Sequence, residues 1–236
     1  MRYDYFVLGY NAMSYFRDWF DFGQFRNTNL RIVDNGNQQI PEELQQYVIH
    51  QNEKNIGCSG GWNLICDIGF NHFGLDKIIV GQEDGRISEE VLEELLNRCN
   101  PNMICGTYNN SFEFSTYAIH RETFNKVGRF DENFMFVGCE DNDYKHRCKL
   151  KGIEVQSLGI SHEFNCSIAN NVHTVPSTVL THNPTYILNK WNDYTYTEPF
   201  NGIDMPKYTD YFIEVHGNVD VWPSESEFLR FRNGVK

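Results

Sequence analysis

The stretch Lys77-Ile78-Ile79-Val80-Gly81-Gln82-Glu83-Asp84-Gly85 decides the fold class. Ile78, Ile79 and Val80 run together without polar alternation, the pattern of a strand buried on both faces of a sheet. The run stops at acids and a glycine, which end a strand. A helix is expected next. Ser88 stands in a capping position, and Val91, Leu92, Leu95, Leu96 and Cys99 make one apolar stripe.

The same alternation extends upstream. Tyr3–Gly9 reads as a strand, and residues 12–22 as a helix carrying Phe16, Trp19 and Phe20, with Ser14 as its cap. Leu30-Arg31-Ile32-Val33 is a second strand, stopped by Asp34-Asn35-Gly36-Asn37. Pro41 opens a short helix, and Tyr47-Val48-Ile49 forms a third strand. A glycine-rich run, Asn55-Ile56-Gly57-Cys58-Ser59-Gly60-Gly61-Trp62-Asn63, leads into a helix through Leu64, Ile65 and Ile68. Strands alternating with helices predict an α/β fold with a mostly parallel, Rossmann-like sheet flanked by helices on both faces. Ligands on such sheets bind beyond the carboxyl ends of the strands, where Gly9, Asp34 and Asp84 all fall.

Downstream of Cys105 the pattern loosens. Residues 114–119 and 154–158 read as strands, 121–127 and 140–151 as helices, and a further helix is expected near 186–191. The 236 residues allow one large domain or two small ones, and 40% hydrophobic residues are enough for a core. Twenty basic against 32 acidic side chains give a net charge of −12, which argues against nucleic acid as a partner. A phosphate compound would need a metal ion or backbone N–H groups to meet its charge. Seven scattered cysteines without a C-x-x-C fit free thiols in a reducing, cytoplasmic setting. The N-terminus reads as a strand rather than a signal peptide, and no apolar run is long enough to span a membrane.

Several residues could carry chemistry, each beside a plainer reading. Asp84 could hold a divalent cation, or sit in a solvated Glu-Asp-Gly turn. Asp34 could accept hydrogen bonds from a nucleobase or ribose, or make an Asx turn. The glycine-rich run could bring backbone N–H groups to a phosphate or sugar, or simply join strand to helix tightly. Glu140-Asp141-Asn142-Asp143 could place a general base at a crevice edge, or only cap a helix. Asp143 and Arg147 read as a structural i, i+4 pair. His162 could complete a metal shell begun by Asp84, or be an ordinary structural histidine.

In this order the segments resemble family 2 inverting glycosyltransferases of the GT-A fold. The pieces are Val7-Leu8-Gly9-Tyr10-Asn11, Val33-Asp34-Asn35-Gly36-Asn37, Asn52-Glu53-Lys54-Asn55-Ile56-Gly57 with Gly60-Gly61-Trp62-Asn63, and Ile78-Ile79-Val80-Gly81-Gln82-Glu83-Asp84. Val127-Gly128-Arg129-Phe130-Asp131-Glu132, Glu140-Asp141-Asn142-Asp143-Tyr144 with Arg147, and His162 with Ser167 complete the set. Tyr186-Ile187-Leu188-Asn189-Lys190-Trp191 is similar to a Lys-Trp element near the C-terminus of these enzymes.

The resemblance implies a nucleotide-sugar-binding half over 1–105. It implies an acceptor-binding and catalytic half, with a C-terminal extension, over 106–236 of one domain. It implies a nucleoside-diphosphate sugar donor, UDP-linked before dTDP- or GDP-linked, and a glycan or glycolipid acceptor. The implied donor contacts are Gly9, Tyr10, Asn11, Asp34, Asn55, Gly57, Gly60, Asn63, Glu83 and Asp84. Gln82-Glu83-Asp84 stands where the family has D-x-D, so only its last acid is kept. The implied ligands for Mn²⁺ or Mg²⁺ are Asp84 and His162, and the implied base is Asp141 with Glu140 beside it. Two rival readings use the same residues: a metal-dependent phosphohydrolase or nucleotidyltransferase, and a non-catalytic sugar-nucleotide or glycan-binding protein.

Overall fold

The computed structural model describes residues 3–20, 25–36, 38–53, 55–108, 113–134, 137–161, 163–164, 183–184, 186–187, 190 and 191. In chain order the elements are β1 (Tyr3–Gly9), α1 (Met13–Trp19), β2 (Thr28–Asp34), α2 (Glu42–Gln45), β3 (Val48–Gln51) and α3 (Gly57–Asp67). A π-helical turn over Ile68–His72 prolongs α3. Then come β4 (Lys77–Gln82), β5 (Gly85–Arg86), α4 (Glu89–Arg98), β6 (Met103–Tyr108), β7 (Thr116–His120), α5 (Arg121–Val127), α6 (Glu140–Leu150), β8 (Glu154–Ser161) and β9 (Glu163–Phe164).

Seven strands form one sheet in the order β3-β2-β1-β4-β7-β6-β8. All neighbours run parallel except β7, which is antiparallel to β4 and β6. The mostly parallel α/β sheet expected from the sequence is therefore present. β6 spans the 105/106 division and belongs to the same sheet as β1–β4.

Period-two alternation along the strands feeds two cores. Phe6 and Leu8 of β1, Ile78 and Val80 of β4, and Tyr117 and Ile119 of β7 face one side. There they meet Trp62, Ile65 and Cys66 of α3, Phe124 of α5 and Tyr144 of α6. Tyr5 and Val7, Ile79 and Ala118 face the other side, with Met13, Phe16, Leu44, Leu92 and Leu95 from α1, α2 and α4. Each such fully buried aliphatic or aromatic side chain contributes about 1.5–3 kcal/mol.

Pro41 occupies the N-cap of α2 and Ser88 that of α4, neither with a side-chain capping hydrogen bond. The α1 helix is shorter than the sequence suggests. Ala12 is its N-cap, so Ser14 lies inside the first turn and does not cap it. β6 was not foreseen. Gly106 interrupts its apolar run, and the strand is defined by pairing with β7 and β8 rather than by its own pattern.

Two glycines allow close approach at the sheet centre. A Cβ on Gly61 would stand 2.5 Å from Leu8 Cδ1, which is how tightly α3 lies on β1. A Cβ on Gly81 would stand 2.8 Å from Cε2 of the fully buried Tyr5 ring. The ring has no room to yield, so Gly81→Ala is expected to lower stability by about 1–3 kcal/mol. A urea unfolding curve measures this, and an unchanged midpoint would contradict the close packing.

Candidate functional site

β1 is the switch point of the sheet. The chain leaves it through α1 to pair β2 on one side, and later returns through α3 to pair β4 on the other. The crevice at such a reversal opens beyond the strands' carboxyl ends. Gly9, Asp34 and the Glu83-Asp84 pair close β1, β2 and β4 there, with Gly9 opposite Asp34 in register.

Glu83 spans the crevice floor. Its Oε1 accepts hydrogen bonds from the backbone N–H groups of Tyr10 (2.6 Å) and Ala12 (3.2 Å). A Cβ at Gly9 would stand 2.8 Å from Glu83 Oε2, so a side chain there would push this carboxylate away. Burial drives the Glu83 pKa well above the ordinary range, and the Asp84 charge adds to the rise despite the two backbone donors. Asn11 follows in the left-handed region with φ 65°. The Tyr10 ring lies over Gly36, where a Cβ would come within 2.6 Å of it.

Asp34 is fully buried and serves its own loop. Its carboxylate accepts from Gly36 N (3.3 Å), Gln38 N (3.1 Å), Gln38 Nε2 (2.9 Å) and Gln51 Nε2 (2.6 Å). The neighbouring Asn35 is a knot that sequence reasoning missed. Its N–H donates to Gly9 O (2.8 Å), and its side-chain amide joins Asn52, Asn55, Ile56 and Gly57. The ends of β1 and β2 and the approach to α3 are thereby tied together. Only the turn composition of Asp-Asn-Gly hinted at this.

The glycine-rich run is the first part of α3. Gly57 takes φ 76°, and its N–H donates to Asn55 Oδ1 (2.8 Å). Gly60 lies 3.1–3.3 Å from the Ile56 side chain at the position of a Cβ. Asn63 is fully buried further along. Its amide donates to Phe130 O (2.9 Å) and Glu132 Oε1 (2.8 Å), and its oxygen accepts from Phe130 N (2.8 Å). It pins α3 to the 130–132 loop rather than facing the crevice.

The acids of β4 and α6 meet around the first turn of α3. Burial pushes the Cys58 thiol well above its ordinary pKa, and the charges of Glu140, Asp84, Asp141 and Glu83 push it further. Four carboxylates from two distant segments thus share one electrostatic neighbourhood at the α3 N-terminus. Burial lifts Asp84 from 3.8 to about 6. Burial, then the charge of Asp141, lifts Glu140 from 4.5 to about 8. Glu140 Oε2 is buried with no hydrogen-bond partner among the described residues, while Asp141 Oδ1 accepts from Asn142 N (2.8 Å).

A second acid cluster is neutralised by bases. Lys190 Nζ lies 2.7 Å from Asp131 and 2.6 Å from Asp143, and Arg147 Nε lies 2.9 Å from Asp143. Tyr186 donates to Asp131 (2.8 Å), and Trp191 Nε1 to Asp143 (2.8 Å). Burial alone would raise Asp143, but the charges of Arg147 and Lys190 hold it below the usual carboxylate range. The i, i+4 pair expected from the sequence is present, and the Lys-Trp element is what completes it.

His162 lies outside the described residues. The backbone of β9 pairs with β5, directly after Asp84. Among the described residues no three His, Cys, Asp or Glu side chains converge as a metal site. No helix among them is long and apolar enough to cross a membrane.

No family model matches the chain. No curated protein matches it either. Among solved structures, the chain is similar to residues 1–349 of TarS from S. aureus. The identity is 11% and the TM-score 0.49, over 85% of this chain and 76% of that one. It is also similar to a cytidylyltransferase from Leptospira borgpetersenii serovar Hardjo-bovis. There the identity is 6% and the TM-score 0.43, over 92% of this chain and 95% of that one.

The raised acids make stability depend on pH with a definite sign. Glu140 and Asp84 hold protons in the folded chain that the unfolded chain releases near 4.5 and 3.8. Their contribution is complete below those values and is lost as pH rises through about 6 for Asp84 and about 8 for Glu140. In EDTA, the melting temperature should fall from mildly acidic to mildly alkaline pH, and Glu140→Gln should flatten the upper part of the fall. A wild-type melting temperature that rises across that window would contradict the assignment.

Proposed function

We propose that this chain is a metal-dependent, inverting glycosyltransferase that moves a sugar from a nucleoside-diphosphate sugar, a UDP-sugar first, to a hydroxyl of a glycan or glycolipid. One observation carries the reading. The acids that close β4 and the acids that open α6 gather around Cys58, at the switch point of the sheet. Sugar transfer needs such an arrangement: an acid for a cation on the leaving diphosphate, and another for the incoming hydroxyl.

Asp84 fits the first role. It is buried among other acids at the strand end, where a cation would relieve the charge. Mn²⁺ or Mg²⁺, when bound, supplies positive charge to the leaving diphosphate. Asp84 and His162 would hold it, and diphosphate oxygens would complete its shell. The start of α3 would favour an anion beside it. Asp34 holds Gly36, which lies under the Tyr10 ring, and Gln38, so a nucleobase would lie against a surface that Asp34 builds.

Asp141 takes the second role. It accepts the proton of the acceptor hydroxyl as the new bond forms between that oxygen and the anomeric carbon. The bond from that carbon to the phosphate oxygen breaks on the opposite face, and the electron pair leaves on the diphosphate. One displacement without a protein nucleophile inverts the anomeric centre. Glu140, raised to about 8, stays largely protonated near neutrality, so the role of base does not fall to it.

Asp141→Asn should lower kcat about 10²- to 10⁴-fold and leave donor binding intact. Asp84→Ala should weaken donor binding only when Mn²⁺ or Mg²⁺ is present. Transfer from UDP-, dTDP- and GDP-sugars, together with thermal shifts in the same mixtures, measures both. Native transfer rates in both variants would refute the assignment of roles. No shift with any donor would refute the nucleotide-sugar reading itself.

A further inference from the structure

The α6 helix opens from a strained turn. Gly138 has φ 104°, and Cys139, which carries a side chain, has φ 73°. A non-glycine residue in this region costs about 1–2 kcal/mol. Such a conformation persists only where the surroundings over-determine it. Glu140 and Asp141 are the next two residues, so this turn sets their direction.

What holds the turn comes from a segment more than forty residues away. Asn183 is 1% exposed, and its Nδ2 donates to both Val137 O and Gly138 O at 2.9 Å. Other described residues of that segment reach α6 at Asp143 and the loop before it at Asp131. Lys190 and Trp191 reach Asp143, and Tyr186 reaches Asp131. The two grips differ in kind. Removing Lys190 would leave buried carboxylates uncompensated and weaken the whole chain. Removing the neutral Asn183 amide leaves no stranded charge, so its effect stays local to the turn.

We propose that Asn183 is a positioning residue for sugar transfer, which by donating to the Val137 and Gly138 carbonyls keeps Asp141 and Glu140 aimed into the site. This inference rests on the function proposed above. It assigns to the segment around Lys190 a role in the reaction as well as in folding.

The test uses the full chain with Asn183→Leu, which is close in size, carries no charge and cannot donate. With a UDP-sugar and Mn²⁺, kcat should fall about a hundredfold, the scale of an ångström-level misplacement, while the donor KM holds. Asn183→Gln, which keeps the amide, should recover part of the loss. Independently of activity, exchange of the Asp143 amide, which donates to Cys139 O at 3.0 Å, should speed up about tenfold or more. Amides in β1 and β4 should exchange as before. A native kcat with native exchange would overturn the proposal. So would faster exchange throughout β1 and β4, because the loss would then be one of folding. If the wild-type chain transfers no sugar, the glycosyltransferase reading fails, and the exchange pattern still decides whether Asn183 holds the turn.

Discussion

The position of β1 constrains everything built on this sheet. It lies between β2 and β4, and the connections to those two strands pass over opposite faces. That reversal leaves a gap beyond Gly9 that no helix can cover. Backbone and carboxylate meet there beside the buried Met13 side chain. Glu83 reaches across from β4 to the N–H groups of Tyr10 and Ala12, and Asn35 reaches across from β2 to Gly9 O. The Glu83 bridge leaves no room for a side chain at position 9, where a Cβ would stand 2.5 Å from Met13 Sδ and 2.8 Å from the Glu83 carboxylate. The packing of the two cores and the shape of the crevice therefore follow from one strand order and one glycine.

Buried acids are treated in two opposite ways a short distance apart along the chain. Asp143 meets Lys190 and Arg147, and its pKa lies below the ordinary range. Glu83, Asp84 and Glu140 lie above theirs, because burial outweighs the donors that reach them. The first arrangement is the signature of a structural ion pair, where removing a partner costs about 3–5 kcal/mol. The second is unfavourable unless protons or an external cation relieve it, and such groups gather where chemistry is done. α6 carries both kinds within its first turn, with Asp141 two residues before Asp143, whose ionic partner Arg147 lies one turn further on. A helix so anchored can present Asp141 without moving when charge arrives in the site.

Much of the scaffold was legible in the sequence because it is local. The apolar runs of β1 and β4, the stripe on α4 and the limits of α5 each follow from a few adjacent residues. The positions of Asp84 and Asp141 were legible for the same reason, one at a strand end and one at a helix start. What the acids and amides bond to was not. Glu83 finds its donors 71 and 73 residues away, and Asn63 finds its partners 67 and 69 residues away. No local pattern distinguishes a carboxylate that will face a ligand from one that will staple a loop. β6 escaped notice for a related reason, since Gly106 weakens its pattern and β7 and β8 supply the pairing.

The glycine-rich run shows how one sequence feature can carry two physical meanings. Read alone, it suggests backbone laid open to a phosphate. In the fold, Gly61 lets α3 lie against Leu8, and Gly57 supplies a left-handed start. These uses are compatible because they act on different sides of the helix. The absence of a side chain at Gly61 sets how closely α3 lies on β1. Cys58 of the same helix lies among the four acids. The neighbourhood on which the functional reading rests therefore includes a residue of the same helix that Gly61 seats on β1.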